Sequence, residues 1–390
     1  MRTLKDMDLA GKKVLVRVDF NVPVKNGEVS DDTRLSAHVP TIKSILEKKP
    51  ARIILMSHLG RPKGAASPEF SLKIVLPRLE KLLGQKVHFF EDCVGKETGG
   101  GLEKLPGGSI ALLENLRFHA EEKNNDDNFA KTLASYGDVF IQDAFAVSHR
   151  AHASTVGIPA LLPSAAGFLI EKEVKYLSEL LQNPRRPFAA VLGGAKVSTK
   201  ISVMKSLLSK VDYLLVGGAM SYTFLKARGE NTGLSLVEDD FLEKAREIAA
   251  EAGNKLLLPS DHLISKSFKE PLESSAAGAI PDGFYGVDIG PETLREYSRI
   301  LKSAKTIFWN GPMGVFEVDA FAEGTKTIAG VIAEATKAGA VSVAGGGDSV
   351  AAINKTGLAE DFSHISTGGG ASLEFVEGRN LPGIEALNQE

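Results

Sequence analysis

Residues 188–200 read FAAVLGGAKVSTK, which joins an apolar run, a pair of glycines and the start of a helical pattern. The run at 188–192 contains no polar residue, as expected for a strand that is covered on both faces. After the glycines, apolar residues recur at helical spacing, at Ile201, Met204, Leu207, Leu208 and Val211. A buried strand followed by an amphipathic helix is the repeating unit of a parallel sheet with crossover helices.

The same alternation extends along the whole chain of 390 residues. Short β-branched runs predict strands at 13–18, 52–56, 87–90, 110–113, 139–142, 188–192, 213–216, 255–258, 306–309, 341–344 and 364–366. So many strands exceed the usual size of one open sheet, and the length exceeds that of one ordinary domain. We therefore expect an α/β protein with two doubly wound, parallel-sheet (Rossmann-like) domains, separated by a cleft and joined by a hinge helix.

The domain boundary is predicted from a charged helical segment and a proline-rich link. Residues 168–182 have the pattern of a helix, and residues 183–187 follow as Asn-Pro-Arg-Arg-Pro. We therefore expect a first domain at 1–167, a hinge helix at 168–182 and a second domain at 183–377.

Charge and cysteine content narrow the class of protein. The chain has 46 Lys and Arg against 49 Asp and Glu, so its net charge of −3 gives no overall attraction to nucleic acid or to anionic membranes. Cys93 is the single cysteine, which excludes an intrachain disulfide and fits a reducing compartment. The first residues lack a signal-peptide pattern, and the longest apolar stretch is too short to span a bilayer. These features predict a cytoplasmic protein without a nucleic-acid or membrane partner.

Residues that follow the predicted strands indicate the ligands, because open α/β sheets bind ligands beyond the carboxyl ends of their strands. In the first half, four arginines and a histidine lie on these segments: Arg34, Arg61, Arg117, Arg150 and His58. The planar guanidinium group binds carboxylate and phosphate groups through two hydrogen bonds. The first half is therefore predicted to bind a small ligand with several negative charges.

In the second half, glycines follow five strands, at 193–194, 217–218, 311–314, 345–347 and 368–370. Glycine allows backbone N–H groups to approach a ligand closely, and the N-terminus of a helix favours an anion. These turns predict a nucleotide site. The P-loop and G-x-G-x-x-G patterns are absent, so a P-loop ATPase or an ordinary dinucleotide dehydrogenase is not expected.

Simpler interpretations compete at several of these positions. Each glycine pair could form only a tight turn, and Asp348 and Ser349 could simply cap a helix. Arg17 is interpreted as an internal ion-pair partner, residues 121–127 as a solvated loop, and Cys93, His119 and His152 as residues without a catalytic role.

Lys196 and Lys200 are harder to explain without a ligand. A cation at the start of a helix is destabilised by the helix dipole by roughly 0.3–1 kcal/mol. Two like charges four residues apart repel each other by some tenths of a kcal/mol more. A bound phosphate would reverse the sign of both interactions.

Taken together, the motifs resemble those of the phosphoglycerate kinase family. The matching segments, in the family's order and across nearly the whole chain, are 17–23 (RVDFNVP), 56–62 (MSHLGRP), 114–118 (ENLRF), 143–152 (DAFAVSHRAH), 192–200 (LGGAKVSTK), 309–316 (WNGPMGVF), 345–349 (GGGDS) and 366–374 (STGGGASLE). Residues 146–148 (Ala-Val-Ser) depart from the Gly-Thr-Ala that is common in the family, just before Arg150.

The resemblance implies roles for individual residues. It implies that phosphoglycerate is bound by Asp19, Asn21, Arg34, His58, Arg61, Arg117 and Arg150. It implies that the nucleotide is bound by Lys196, Lys200, Gly217, Gly218, Gly286, Asn310, Glu317, Gly346, Gly347, Asp348 and Ser349, with Glu317 on the ribose and Asp348 on Mg²⁺. Catalysis would involve Arg34, Lys196, Gly345 and Gly346, and the tail at 378–390 would pack back on the first domain.

The implied reaction is reversible transfer of a phosphoryl group from 1,3-bisphosphoglycerate to MgADP, which gives 3-phosphoglycerate and MgATP, with domain closure and a monomeric enzyme. Neither half contains a catalytic triad, and direct in-line transfer needs only positioning and charge stabilisation. Two rivals remain open: a two-domain protein that binds an anionic metabolite without chemistry, and another ATP-dependent enzyme acting on a small phosphorylated acid.

Overall fold

The computed structural model describes residues 1–268 and 273–388 and divides the chain into two compact units. One unit consists of Met1–Val174 together with Asn380–Glu390, and the other of Lys175–Arg379. Residues 269–272 of the predicted second domain and 389–390 of the predicted tail lie outside the described residues. The division between the units falls inside the segment that the sequence predicts as the hinge helix.

The first unit is built on a parallel sheet. Its strands are β1 (Lys13–Arg17), β2 (Val24–Lys25), β3 (Glu28–Val29), β4 (Arg52–Met56), β5 (Val87–Phe90), β6 (Ser109–Leu113), β7 (Val139–Gln142) and β8 (Ser164–Ala166). Six of them form one sheet in the order β5-β6-β4-β1-β7-β8, and every pair is parallel. The first strand lies at the centre, so the chain winds first toward one edge and then toward the other.

Both faces of this sheet are buried, as the apolar runs predict. Val14 and Val16 of β1 belong to one hydrophobic core, whereas Leu15 between them belongs to another. Successive side chains of a strand point to opposite faces of the sheet, so the central residues of a strand that packs against two cores are all apolar, as at 14–16 of β1.

Helices cover the two faces of the sheet. In this part of the chain they are α1 (Thr33–Glu47), α2 (Leu76–Leu83), α3 (Lys96–Glu103), α4 (Ala120–Lys123), α5 (Asp127–Ala134) and α6 (Phe168–Gln182).

The second unit repeats the same architecture. Its strands are β9 (Phe188–Leu192), β10 (Tyr213–Val216), β11 (Leu256–Leu257), β12 (His262–Ser265), β13 (Ser274–Ala277), β14 (Tyr285–Ile289), β15 (Thr306–Asn310), β16 (Val341–Ala344) and β17 (His364–Ile365). The main sheet has the order β11-β10-β9-β15-β16-β17 and is parallel throughout. Its helices are α7 (Ile201–Leu208), α8 (Met220–Ala227), α9 (Leu242–Ala252), α10 (Pro291–Ser303), α11 (Glu323–Lys337), α12 (Gly347–Thr356) and α13 (Gly370–Val376), and α14 (Pro382–Glu385) follows in the first unit.

The fold class predicted from the sequence is confirmed: the protein is α/β, with two doubly wound parallel sheets of six strands each. The sequence did not predict β8, the β2–β3 hairpin, or the antiparallel sheet β13-β12-β14 in the second unit. None of the helices in the described residues combines the length and the apolar character that crossing a bilayer would need.

The charged run at residues 121–127 is only in part the solvated loop that the sequence predicted, since residues 121, 123, 124 and 127 are exposed but helices occupy both ends of the run. Its first part lies in α4, and Asp126 caps α5, where its carboxylate accepts the backbone N–H groups of Asn128 and Phe129 at 2.9 Å each. The prediction of a solvated run fails at one residue, which is buried against a partner that is distant in the sequence.

That residue is Glu122, whose side chain is fully buried. Its carboxylate lies 3.8 Å from the guanidinium group of Arg17, which is also fully buried, so the interpretation of Arg17 as an internal ion-pair partner is confirmed. The Glu122 carboxylate also accepts hydrogen bonds from the hydroxyl and the backbone N–H of Ser154, at 2.6 and 3.0 Å. These bonds compensate for the loss of hydration at a buried charge.

We predict that Glu122→Gln lowers the free energy of unfolding by about 3–5 kcal/mol, because it leaves the buried Arg17 charge without a counterion. The matched control is Glu121→Gln, at the exposed neighbouring position, which should change the unfolding free energy by less than about 0.5 kcal/mol. Urea unfolding followed by circular dichroism measures both, and equal midpoints for the two variants would contradict the assignment.

Candidate functional site

In the first unit, five predicted residues meet beyond the carboxyl ends of β1, β4 and β6: Asp19, Asn21, Arg34, His58 and Arg117. We call this group the acid edge. Arg34 Nη1 donates to Asp19 Oδ2 at 2.5 Å, and His58 Nδ1 lies 3.7 Å from Asp19 Oδ1. The loop residue Gly60 connects the other two, since its N–H donates to Asn21 Oδ1 at 2.8 Å and its carbonyl accepts from Arg117 Nη1 at 3.0 Å.

The acid edge concentrates positive charge. Burial lowers the pKa of His58 well below its usual value, and Arg17, Arg117 and Arg34 lower it further. Burial also lowers the pKa of Arg117 to about 10, with repulsion from Arg17 and Arg150 adding to it. Positive charges that repel one another in a partly dehydrated site favour the binding of an anion.

Two predicted members stand apart from these contacts. Arg61 and Arg150 are exposed, and Arg150 Nε donates to His149 Nε2 at 3.1 Å. Their guanidinium groups are accessible to a ligand.

Arg150 follows the segment whose sequence departs from the resembled family. Residues Phe145–Val147 form a short 3₁₀ helix, and the buried Ser148 ends it. The Ser148 carbonyl accepts a hydrogen bond from the N–H of Gly383 in α14 at 2.8 Å. The segment after Asn380 therefore contacts the loop that carries Arg150.

In the second unit, a pocket of about 210 Å³ lies beyond the carboxyl ends of β15, β16 and β17. We call it the glycine pocket. Its lining residues are Lys200, Asn310, Gly311, Gly346, Gly347, Asp348, Ser349, Gly369, Gly370 and Leu373. Six of the predicted nucleotide residues therefore come together here, from segments that are distant in the sequence.

Hydrogen bonds hold the walls of the glycine pocket in place. Lys200 Nζ donates to Asn310 Oδ1, and Asn310 Nδ2 donates to the carbonyl of Gly345. On the other side, the Gly311 N–H donates to Ser349 Oγ at 2.6 Å. Burial lowers the pKa of Lys200, and the charge of Asp348 opposes that shift. An ammonium group that has lost part of its hydration is ready to bind a phosphate.

The backbone at the mouth of the pocket requires glycine. Gly346 precedes α12 with φ of +95°, and a Cβ there would lie 2.6 Å from Asn310 Nδ2. Gly347 and Asp348 are exposed in the first turn of α12, where the N–H groups of a helix have no intrahelical partners. The N-cap position of α12 is occupied by Gly346, and Asp348 lies within the first turn, so Asp348 is not the capping residue.

The remaining predicted nucleotide residues do not line the pocket. Lys196 and Glu317 are exposed outside it. A Cβ at Gly217 would lie 2.6 Å from Met313 Sδ, one at Gly218 would lie 2.6 Å from the Gly194 nitrogen, and one at Gly286 would lie 2.3 Å from the Tyr222 hydroxyl oxygen. Close packing against protein atoms is therefore sufficient to explain these three glycines.

Sequence reasoning missed other residues that line or support the two sites. Leu373 lines the glycine pocket and was not singled out, whereas Gly369 and Gly370 line it as the glycine run at 368–370 predicted, although the resemblance assigned them no role. Glu122 supports the acid edge through Arg17, and no local pattern could have indicated a partner so distant in sequence.

One group of potential metal ligands lies outside both sites. Donor atoms of Asp92, Cys93 and His119 lie within 4.8 Å of one another. His119 Nε2 is already paired with Asp92 Oδ1 at 2.7 Å. Burial raises the pKa of the Cys93 thiol well above its usual value, which disfavours the thiolate that binds metals.

Comparisons with known proteins agree with this geometry. A family model described as phosphoglycerate kinase matches residues 4–379. A phosphoglycerate kinase of Moorella thermoacetica is 53% identical over 393 residues, covering 100% of this chain and 99% of the relative. A cytosolic phosphoglycerate kinase of Triticum aestivum is 52% identical, covering 99% and 98%. The solved phosphoglycerate kinase of Coxiella burnetii superposes with a TM-score of 0.89 at 41% identity, covering 99% of this chain and 98% of that chain.

We predict that Gly346→Ala destabilises the protein by at least about 1–2 kcal/mol, because alanine is strained at positive φ and its Cβ would meet Asn310. The adjacent Gly347→Ala is the matched control, since a Cβ there meets nothing within 4 Å and alanine favours a helix. Chemical unfolding of both variants tests the pocket geometry, and equal stability of the two would show that the turn is placed differently.

Proposed function

The chain belongs to the phosphoglycerate kinase family, and we propose that its two units divide the reaction, with the acid edge binding phosphoglycerate and the glycine pocket binding the nucleotide. The enzyme transfers a phosphoryl group reversibly between 1,3-bisphosphoglycerate and ADP, giving 3-phosphoglycerate and ATP. The division is supported by one contrast: cations gather at the edge of the first sheet, whereas glycine backbone and Lys200 line the pocket of the second.

At the acid edge, we assign the carboxylate and phosphate groups of the substrate to Arg34, Arg61, Arg117 and Arg150, which are suited to bidentate contacts. Asp19 and Asn21 supply acceptors for a hydroxyl group, and His58 is neutral because its pKa is lowered. Arg34 is partly exposed and is held toward the ligand by Asp19, so it is placed to stabilise charge on the acyl-phosphate oxygens.

At the glycine pocket, Lys200 is proposed to hold a nucleotide phosphate, and the N–H groups of Gly346 and Gly347 to contact the oxygens of the transferred group. The Gly345 N–H instead donates to the Trp309 carbonyl at 3.0 Å. Lys196 is exposed and can follow that group as it moves. In the transfer, the bond from phosphorus to the carboxyl oxygen breaks as a bond to the terminal phosphate oxygen of ADP forms. Neither atom requires a proton relay, so no general base is assigned.

Asp348 is proposed to hold Mg²⁺, because it is an exposed carboxylate beside a pocket suited to phosphate, and Mg²⁺ prefers oxygen ligands. When bound, the ion neutralises negative charge on the phosphate oxygens. Gly217, Gly218 and Gly286 are proposed to border the adenosine and Glu317 to bind the ribose.

The chemistry also requires the two ligands to meet, since in-line transfer needs reacting atoms about 3–3.5 Å apart. We propose that both ligands together favour a closed form, with α6 and residues 183–187 as the hinge and with the C-terminal tail bound to the first unit. A monomer in the cytoplasm is also proposed, and the cytosolic name of the wheat relative supports this location.

The direct test is a coupled assay with 3-phosphoglycerate and MgATP. The expected result is turnover that requires both substrates and that is lost when glycerate replaces 3-phosphoglycerate. Binding of both ligands without turnover would favour a binding protein, and turnover with another phosphorylated acid alone would favour a different kinase.

We predict that Arg34→Ala lowers kcat by about two to three orders of magnitude, because loss of one transition-state contact of this kind costs ~3–4 kcal/mol. The affinity for MgADP should be unchanged. Arg78→Ala is the control, since Arg78 is an exposed arginine of the same unit that pairs with Asp32. Steady-state kinetics tests this assignment. If Arg34→Ala keeps more than about a third of the wild-type turnover, the role assigned to Arg34 is wrong.

We predict that Asp348→Ala weakens binding of MgADP by at least about tenfold while binding of metal-free ADP is nearly unchanged, because the carboxylate contacts the ion and not the nucleotide. Calorimetric titrations with and without magnesium measure both affinities. Asp282→Ala, at an exposed position of the same unit, should alter neither. Equal losses in the two titrations would exclude a metal role for Asp348.

A further inference from the structure

One face of α1 reaches from the acid edge into the protein interior. Arg34, His38 and Thr41 are spaced by four and three residues, so they lie on the same side of the helix. Arg34 contacts the Asp19 carboxylate, as described above. His38 is 1% exposed and Thr41 is 0% exposed, so the inner part of this face is buried.

His38 uses both of its ring nitrogens. The backbone N–H of Asp19 donates to His38 Nε2 at 2.9 Å. A backbone amide can only donate, so Nε2 carries no hydrogen and the neutral ring is protonated at Nδ1. Nδ1 lies 2.7 Å from Asp143 Oδ2 and donates to it. The Phe20 ring packs against the imidazole in an edge-type contact, with ring centroids 5.8 Å apart.

Asp143 continues this chain of hydrogen bonds into α6. Its other oxygen, Oδ1, accepts the N–H of Leu169 in the first turn of α6 at 2.9 Å. The chain must pass close to this carboxylate, because a Cβ at Gly167 would lie 2.1 Å from Asp143 Oδ1. Three hydrogen bonds in series therefore join the amide of Asp19 to the amide of Leu169.

We propose that His38 is a positioning residue for phosphoglycerate binding: it fixes the main chain of Asp19 and links that residue to the first turn of α6. The imidazole touches no substrate atom and acts through Asp19, whose carboxylate Arg34 holds from the other side. The inference rests on the proposed binding of 3-phosphoglycerate at the acid edge. Through Asp143, it also connects α6, the helix that contains the division between the units, to the substrate site by hydrogen bonds in series.

The first experiment compares three substitutions of His38 by calorimetric titration of the full chain with 3-phosphoglycerate. His38→Ala removes both contacts and should weaken binding by roughly 5- to 30-fold, because a buried amide loses its partner. His38→Gln presents an oxygen near the position of Nε2 and should recover most of the affinity. His38→Asn reaches only the position of Nδ1 and should remain weak. The affinity for MgADP should stay within about twofold in all three.

A matched control separates positioning from a structural role. Thr41 lies on the same face of α1, and its Oγ1 accepts the N–H of Phe168 at the start of α6 at 3.0 Å, without contacting Asp19. Thr41→Val should lower stability but leave the affinity for 3-phosphoglycerate unchanged. If His38→Ala also binds 3-phosphoglycerate with wild-type affinity, the proposal is overturned. Failure of the wild-type protein to bind 3-phosphoglycerate would instead count against the proposed function.

The second experiment tests the link to α6 through hydrogen exchange at the Leu169 amide. With 3-phosphoglycerate alone, this amide should exchange at least severalfold more slowly in the wild-type protein and in Thr41→Val. The ligand-dependent slowing should be lost both in His38→Asn, which no longer reaches the Asp19 amide, and in His38→Gln, which no longer reaches the Asp143 carboxylate. An exchange rate at Leu169 that 3-phosphoglycerate does not change in the wild-type protein would overturn the link.

Discussion

The protein depends on one geometric constraint, which is that parallel strands in a sheet end at the same edge. The central residues of β1, at 14–16, are apolar because they pack into a core on each face of the sheet, so charged groups lie only at or beyond the ends of this strand. In both sheets the chain begins near the centre and winds outward in two directions, which opens a crevice at the carboxyl edge. Residues that are distant in the sequence therefore converge at each edge, as Lys200, Asn310 and Asp348 do in the glycine pocket.

The acid edge and the glycine pocket differ in the groups that they offer to an anion. The acid edge brings cations together and tolerates their repulsion because the Glu122 carboxylate compensates Arg17 inside the protein. Burial, and after it the neighbouring arginines, lower the pKa of His58, and an anionic substrate would relieve the repulsion among these cations. The glycine pocket relies on backbone N–H groups and a single partly buried ammonium group, Lys200, whose hydrogen bond to Asn310 fixes its position before any ligand arrives.

The sequence predicted those elements of the fold that depend on residues close together in the chain. Apolar runs such as 188–192 identified eleven of the twelve strands in the two main sheets, each within one residue at either end, because burial on both faces leaves a clear pattern. The short β8, Ser164–Ala166, has no such run and was missed. The burial of Glu122 was missed because its partner Arg17 is distant in the sequence, and a charged run looks solvated until that partner is known. The resemblance named the residues of the acid edge and the glycine pocket, but it could not separate Lys200, which lines the pocket, from the exposed Lys196.

The central claim is that each ligand has its own sheet edge, and hydrogen exchange with one ligand at a time tests it most directly. With 3-phosphoglycerate alone, slowed exchange is predicted for amides of the first unit, at residues 19–23 and 58–61 and in the first turn of α6. With MgADP alone, slowed exchange is predicted at residues 345–349 and around Lys200. The account would be contradicted if 3-phosphoglycerate alone slowed exchange at residues 345–349 as strongly as at residues 19–23.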